Sequence, residues 1–428
     1  MQRRTFLMSA AAPWIASAWA GANDRIRTAV IGMGGRGRDH LNTLAQLDGV
    51  EIAAFCDPDQ SRLEEATALL EKRGGKRPRL EPDLRRVLED RSIDAITIAT
   101  PNHWHALAAI WGCQAGKHVY VEKPVAHEMA AGTAMTLAAR QHNRIAQGGT
   151  QRRSIPQLRR AIQALHEGVI GEVYMARAIH FQERDSIGFQ KPEDPPANLR
   201  WDLWLGPAPQ QPFHRNLVHY NWHWFWDFGN GELGNNGVHF IDLARWGMRR
   251  RLPVRIHSDG GRFGYKDQGQ TPNVQLSTYD FADGAQLVCE IRGRHTNTEA
   301  GQAQGVFFYG ANGYMSIGPE VDVVPQVFLG KSKTPDPAFA KTMAEGRINM
   351  DRLHFQSFFD AIRSGKRDSL PAEIEETRLS TAFCLLGNIA YRLGRVLRFD
   401  PEREQFPGDE EAGRMLGSGY RAPFNYSA

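Results

Sequence analysis

Only four cysteines occur in the 428 residues, Cys56, Cys113, Cys289 and Cys384. They lie far apart in apolar segments, with no CxxC pair and no His/Cys spacing that suits zinc, so buried free thiols are expected and no metal site. Beyond the first twenty residues no apolar run is long enough to span a bilayer, which leaves the mature chain without a membrane span. Charge of one sign is lacking too: 52 Lys and Arg against 48 Asp and Glu give a formal +4. Basic and acidic residues are interleaved along helical stretches such as Arg62-Leu63-Glu64-Glu65, a distribution that excludes a nucleic-acid footprint. No internal repeat is visible, which removes solenoids and propellers. What is present is a hydrophobic share of 41%, enough for two domains with separate cores.

The first residues read as an address label. Arg3-Arg4-Thr5-Phe6-Leu7 resembles the twin-arginine export signature, an uncharged stretch runs from Thr5 to Ala20, and Ala18-Trp19-Ala20 offers the small residues of a cleavage site. Residues 1–20 are therefore expected to be a signal peptide, and the mature protein periplasmic or otherwise exported. Twin-arginine export carries folded proteins, so a cofactor is expected to travel inside and to be held tightly, because an exported enzyme has no free pool to exchange with.

From Ile26 to about Thr150 apolar strand patterns alternate with amphipathic helical ones, the rhythm of a doubly wound parallel sheet. The run Gly32-Met33-Gly34-Gly35-Arg36-Gly37 follows the first strand and fits GxGxxG. These glycines permit a tight turn and close approach of a pyrophosphate to a helix N-terminus. Asp57 ends the next strand twenty residues beyond Gly37, where a carboxylate accepts from ribose hydroxyls and repels a 2′-phosphate. The spacing favours NAD over NADP. After residue 151 the pattern turns to paired strands with hairpin signals at Ala282-Asp283-Gly284 and Ala311-Asn312-Gly313, then to two late helices at about 353–364 and 373–395 that are expected to pack back on one of the domains. The expected division is 1–20 signal, 24–150 dinucleotide-binding Rossmann domain, 151–400 α/β substrate and oligomerisation domain, and 401–428 tail. A Pro- and Trp-rich stretch from Phe189 to Trp226 fits neither pattern and reads as a long functional loop.

Thr100-Pro101-Asn102-His103-Trp104-His105 and Glu122-Lys123-Pro124 follow the strands at 93–99 and 118–121, at the sheet edge where doubly wound folds bind ligands. Lys123 can stabilise alkoxide character as hydride leaves. Asn235 and His239, four apart on one helix face, add a group that can act as general base at neutral pH. The ordered set of glycine turn, TPNxxH, EKP and GxHxxD resembles the Gfo/Idh/MocA family of sugar and inositol oxidoreductases over nearly the whole mature chain. The resemblance implies a Rossmann domain followed by an α/β domain with an open, mainly antiparallel sheet that mediates homo-oligomers. It also implies that Lys123 and His239 flank the substrate carbon, while Thr100, Pro101, Asn102, His105 and Glu122 line the cofactor side. Where the family commonly has Asp, this chain has Asn235, which orients a hydroxyl but takes no proton, so the base role falls on His239.

Gln151, Arg152, Trp222 and Asn236 are candidate substrate binders, and Arg153 a surface ion-pair former. Trp201, Trp204, Trp222, Trp224 and Trp226 either stack on sugar faces or anchor the loop. The leading expectation is an NAD-dependent oxidoreductase acting on a sugar, glycoside or cyclitol hydroxyl with retained cofactor. One alternative is an NAD-dependent glycosidase or epimerase working by transient oxidation, although the full motif of the related N-acetylgalactosaminidases is absent. The other is a catalytically silent sugar-binding protein.

Overall fold

Strand β1 (Ile26–Ile31) sits at the centre of the first sheet because its residues are almost all buried, as a strand covered on both faces requires. In the computed structural model, which describes residues 25–294, 297–318, 324–342, 348–417 and 419–426, it is joined by β2 (Val50–Cys56), β3 (Arg79–Glu81), β4 (Ala95–Ile98), β5 (His118–Val121) and β6 (Ala146–Gly148). The order is β3-β2-β1-β4-β5-β6 and every pairing is parallel. Strand order reverses between β1 and β4, so a crevice opens at their carboxyl ends. The expected signal peptide lies outside the described residues. Among these, no helix is long and apolar enough to cross a membrane.

At the turn after β1, Gly32 has φ +86°, and a Cβ on Gly37 would stand 1.8 Å from the Gly32 carbonyl oxygen. The Gly37→Ala variant is therefore expected to lose at least about 3 kcal/mol, the upper part of the overpacking range, together with dinucleotide binding; chemical denaturation with and without NAD measures both.

The second sheet comprises β7 (Val173–Phe181), β8 (Arg255–Gly261), β9 (Val274–Asp280), β10 (Gln286–Arg292), β11 (Gln304–Gly310), β12 (Gly313–Ile317), β13 (Gln326–Leu329) and β14 (Leu397–Arg398), in the order β13-β12-β11-β7-β10-β9-β8-β14. It is antiparallel except for β7 beside β10. Both hairpin signals fall at hairpins, between β9 and β10 and between β11 and β12. Alternation decides its faces: β10 buries Leu287, Cys289 and Ile291 and turns Gln286, Val288, Glu290 and Arg292 outward. All four cysteines are free and buried.

The two late helices divide between the sheets instead of sharing one. Helix Met350–Ser364 inserts Phe355, Phe358 and Phe359 beside Val30, Phe55 and Tyr120 of the first sheet. Helix Ile374–Leu393 sends Leu379, Phe383 and Leu386 against Ile256 and Tyr279 of the second. The long loop forms a small core of its own, in which Trp201 stacks on Trp204 at 4.9 Å beside Phe213 and Phe228. It is pinned across the first domain: Gln60 N donates to Asn198 O, Arg200 N donates to Pro58 O, and His219 Nε2 lies 3.0 Å from Asp59 Oδ2.

Candidate functional site

A cavity of about 280 Å3 follows the carboxyl ends of the first sheet and is roofed by the long loop. Gly32, Gly34, Gly35, Arg36, Asp57, Thr100, Pro101, Asn102, His105, Glu122 and Lys123 line it from the first domain, with Tyr220, Trp222 and Asn235 from the second. Gly34 caps helix Gly35–Leu44 without any side-chain acceptor, so the first amides of that helix are available to an anion. A Cβ at Gly34 or Gly35 would meet nothing within 4 Å. That open backbone cradle fits a dinucleotide pyrophosphate.

Asp57 has a second occupation that its position in sequence does not reveal. Its Oδ2 accepts from Met33 N at 2.7 Å and its Oδ1 from Asp59 N at 2.9 Å, so it fastens the glycine turn to β2. Each oxygen keeps a lone pair for a ribose hydroxyl. Met33 contributes that amide, while its side chain is fully buried. Burial pushes the Asp57 carboxyl up from the ordinary 3.8 to about 6, against the two amides that lower it. A raised acid stabilises the fold fully below pH 3.8, and that contribution is lost as pH rises through 6. Ribose hydroxyls favour the ionised form, so NAD affinity is expected to fall as pH drops through 6, up to roughly tenfold per unit; calorimetric titration of NAD should show this slope in the parent and none in Asp57→Asn.

Glu122 is the hub of the cleft floor. It is buried and accepts from Arg36 Nε at 2.7 Å, His40 Nε2 at 3.1 Å, Gln151 Nε2 at 3.0 Å and its neighbour Lys123 N at 3.2 Å. Although burial opposes it, the charge of Arg36 holds this carboxyl well below the usual carboxylate range. Two candidate binders have further partners here. Arg36 turns its guanidinium to Glu122 and, through two bonds of 2.9 and 2.7 Å, to Asp351, so it locks helix Met350–Ser364 to the glycine turn. Gln151 is buried, with its amide nitrogen given to Glu122 and to Tyr120 Oη at 3.0 Å, so only its carbonyl oxygen is left to meet a hydroxyl. His105 bridges two loops, its Nδ1 2.7 Å from Pro124 O and its Nε2 2.8 Å from Thr100 O.

At the other end of the cavity Lys123 Nζ donates to the Asn235 carbonyl at 2.6 Å. That carbonyl belongs to a π-helical turn, Leu233–Gly237, running straight into helix Val238–Met248; such turns recur at functional sites. Burial lowers the Lys123 ammonium from its ordinary value. His239 lies four residues beyond Asn235, half-buried and behind the cavity wall, with Nδ1 unpartnered among the described residues. Burial, then the charges of Lys123 and Arg152, hold its imidazole neutral, well below its ordinary 6.5. Arg152 stacks over Phe240 at 4.9 Å, so it reaches the same corner. The structure thus sets Lys123 against Asn235, with His239 one helical turn further on and Arg152 over the neighbouring Phe240.

Glu232 was not legible as a functional residue. It is buried, receives Asn235 Nδ2 at 3.1 Å and Asn236 Nδ2 at 2.8 Å, and lies 2.9 Å from Arg184 and 3.4 Å from His223 Nε2. Asn236 is accordingly tied to Glu232 and outside the cavity wall, and the side chain of Asn235 is set by Glu232. The only sequence signal was an acid three residues before the Asn235–His239 run, which proximity alone does not distinguish. Arg153, expected at the surface, is buried in a two-bond pair with Asp242 at 3.0 and 2.8 Å. The Asp242→Ala variant is expected to lose about 3–5 kcal/mol, because an unpaired guanidinium would remain buried; urea unfolding reads this. Of the tryptophans, Trp204 and Trp222 line the cavity, and Trp224 is buried under Arg262.

The fold and cleft define a two-domain protein with a Rossmann dinucleotide-binding domain. The chain belongs to the Gfo/Idh/MocA oxidoreductase family: the model of the family's NAD-binding Rossmann fold matches residues 26–150, and that of its C-terminal α/β domain matches 184–426. A levoglucosan dehydrogenase from Pseudarthrobacter phenanthrenivorans is 28% identical over 224 residues, 52% of this chain and 50% of that protein. A glycosyl hydrolase family 109 protein from Shewanella pealeana is 38% identical over 107 residues, 24% of each. The chain thus aligns with between a quarter and a half of these relatives' length. Among solved structures, the WlbA dehydrogenase from Bordetella pertussis in complex with NADH and UDP-GlcNAcA superposes with a TM-score of 0.66 at 20% identity, covering 88% of this chain and 99% of that one. A levoglucosan dehydrogenase in complex with NADH and L-sorbose gives 0.66 at 19%, with the same coverage. These two share the fold.

Proposed function

We propose that the protein oxidises a hydroxyl of a sugar, glycoside or cyclitol, using an NAD that stays bound between half-reactions. The observation that carries this reading is the bond from Lys123 Nζ to the Asn235 carbonyl, one helical turn before His239, at the second-domain end of a cleft whose other end is a glycine cradle. Bound in that cleft, NAD supplies a hydride acceptor. Lys123 donates a hydrogen bond to the substrate hydroxyl and stabilises its developing negative charge. His239, neutral between two cations, accepts the hydroxyl proton. Trp222 offers a ring face to the sugar and Arg152 a donor to its hydroxyls.

Asp57 and Asp83 both line the cavity, and two carboxylates disfavour a 2′-phosphate by like-charge repulsion, which supports NAD over NADP. Retention is supported by the loop pinned over the cleft at Asn198, Arg200 and His219. We further propose export through the twin-arginine route and oligomerisation through the outer face of the second sheet. A redox-neutral glycosidase is the second reading, favoured by the matched stretch of the family 109 relative. Recording the absorbance of the copurified cofactor during addition of a sugar panel separates the two: lasting reduction supports net oxidation, transient reduction with new reducing ends supports the glycosidase, and protein without dinucleotide contradicts both.

A further inference from the structure

Behind the cleft lies a second, larger cavity of about 690 Å3, within the size range of small-molecule sites. Its walls include His103, Asn230 and Tyr420, and each carries a buried polar atom without a partner among the described residues: His103 Nδ1, Asn230 Nδ2 and Tyr420 Oη. His103 is 2% exposed and Asn230 4%. Three such atoms in one cavity are unusual, because buried polar groups are nearly always satisfied.

Their chemistry narrows the ligand. His103 Nε2 faces the Trp204 carbonyl at 3.1 Å; a carbonyl only accepts, so Nε2 carries the hydrogen. Burial holds the ring neutral, its pKa lowered to about 3 against the Trp204 and Phe228 carbonyls beside it; with the hydrogen on Nε2, Nδ1 keeps a lone pair that accepts from a donor. Asn230 Nδ2 presents hydrogens and needs an acceptor. A hydroxyl satisfies either group, and the Tyr420 hydroxyl can act in both senses. The wall mixes the carboxylates of Glu128 and Asp227 with the guanidinium groups of Arg392, Arg414 and Arg421, so neither sign of charge is singled out. Trp226, also in the wall, adds an amphipathic ring.

We propose that this cavity is a second, non-catalytic binding site for a neutral polyhydroxylated ligand, a sugar or polyol. It is placed to be felt at the cleft. His103 follows Asn102 of the cleft wall directly, and the Asn230 carbonyl accepts from Gly234 N at 3.2 Å, inside the π-turn that engages Lys123. Asn388, in the same wall, donates to the Asn230 carbonyl at 3.0 Å. The site stands whether or not the cleft oxidises a sugar.

The test uses the dinucleotide-loaded protein with glucose and sorbitol as probes and glucuronate as charged control, read by calorimetry and by crystal structures of the soaked protein. The expected result is glucose or sorbitol bonded to His103 Nδ1 and Asn230 Nδ2, with affinity reduced roughly two- to tenfold in Tyr420→Phe and in Asn230→Asp, the range for one neutral hydrogen bond. Tyr420→Phe removes one oxygen from a partly exposed ring, so it remains informative if Asn230→Asp does not fold. Water alone at the three atoms, glucuronate bound in preference to glucose, or affinity unchanged in Tyr420→Phe would each overturn the proposal.

Discussion

Lys123→Ala is expected to lower turnover at least about a hundredfold, the usual scale of lost proton-transfer and electrostatic assistance, with dinucleotide content unchanged. The ammonium bridges the end of β5 to the π-turn, through Asn235 O at 2.6 Å, and it supplies a charge that keeps His239 neutral. Its removal takes away the donor to the alkoxide and lets the imidazole become more basic. The His239 pKa is therefore expected to rise in Lys123→Ala, and the residual activity to fall off at a higher pH on the acid side than in the parent enzyme. Stopped-flow reduction of bound cofactor across pH measures both. A variant with full turnover would refute the assignment of Lys123.

Glu122→Ala is expected to cost about 3 kcal/mol of stability, the lower part of the range for breaking a buried pair, since Arg36 keeps Asp351. Three other donors, from His40, Gln151 and Lys123 N, lose their acceptor together. Because the Glu122 carboxyl is held below its ordinary 4.5, its contribution is complete above that pH and is lost as pH falls through the lower folded value. Glu122→Ala should therefore lose its disadvantage relative to the parent only in strong acid. Urea unfolding at neutral and acid pH checks the pattern; equal stability of the two proteins at neutral pH would show that Glu122 is no hub.

The parts legible in sequence are those whose physics is local. A buried strand before a glycine turn needs particular residues in consecutive positions, so β1 and Gly32 to Gly37 could be read directly. The hairpins of the second sheet announced themselves through Asp283-Gly284 and Asn312-Gly313. β3 was missed because three residues with one apolar side chain, Leu80, carry no periodicity. Partnership across the chain was equally hidden. That Arg36 would meet Asp351, that Gln151 would be spent on Glu122, and that Arg153 would be buried against Asp242 depend on how the late helices and the second domain fold back. Glu232 is the sharpest case, since only the three-dimensional arrangement brings Arg184 and His223 to it and makes it the anchor of Asn235 and Asn236.

The most direct measurement is a crystal structure of the protein with NAD and a sugar that reduces it. Lys123 Nζ and a ring nitrogen of His239 are expected within roughly 2.6–3.2 Å of the same substrate hydroxyl, on the carbon facing the nicotinamide. A reacting hydroxyl held by other groups, with either side chain out of reach, would contradict the account.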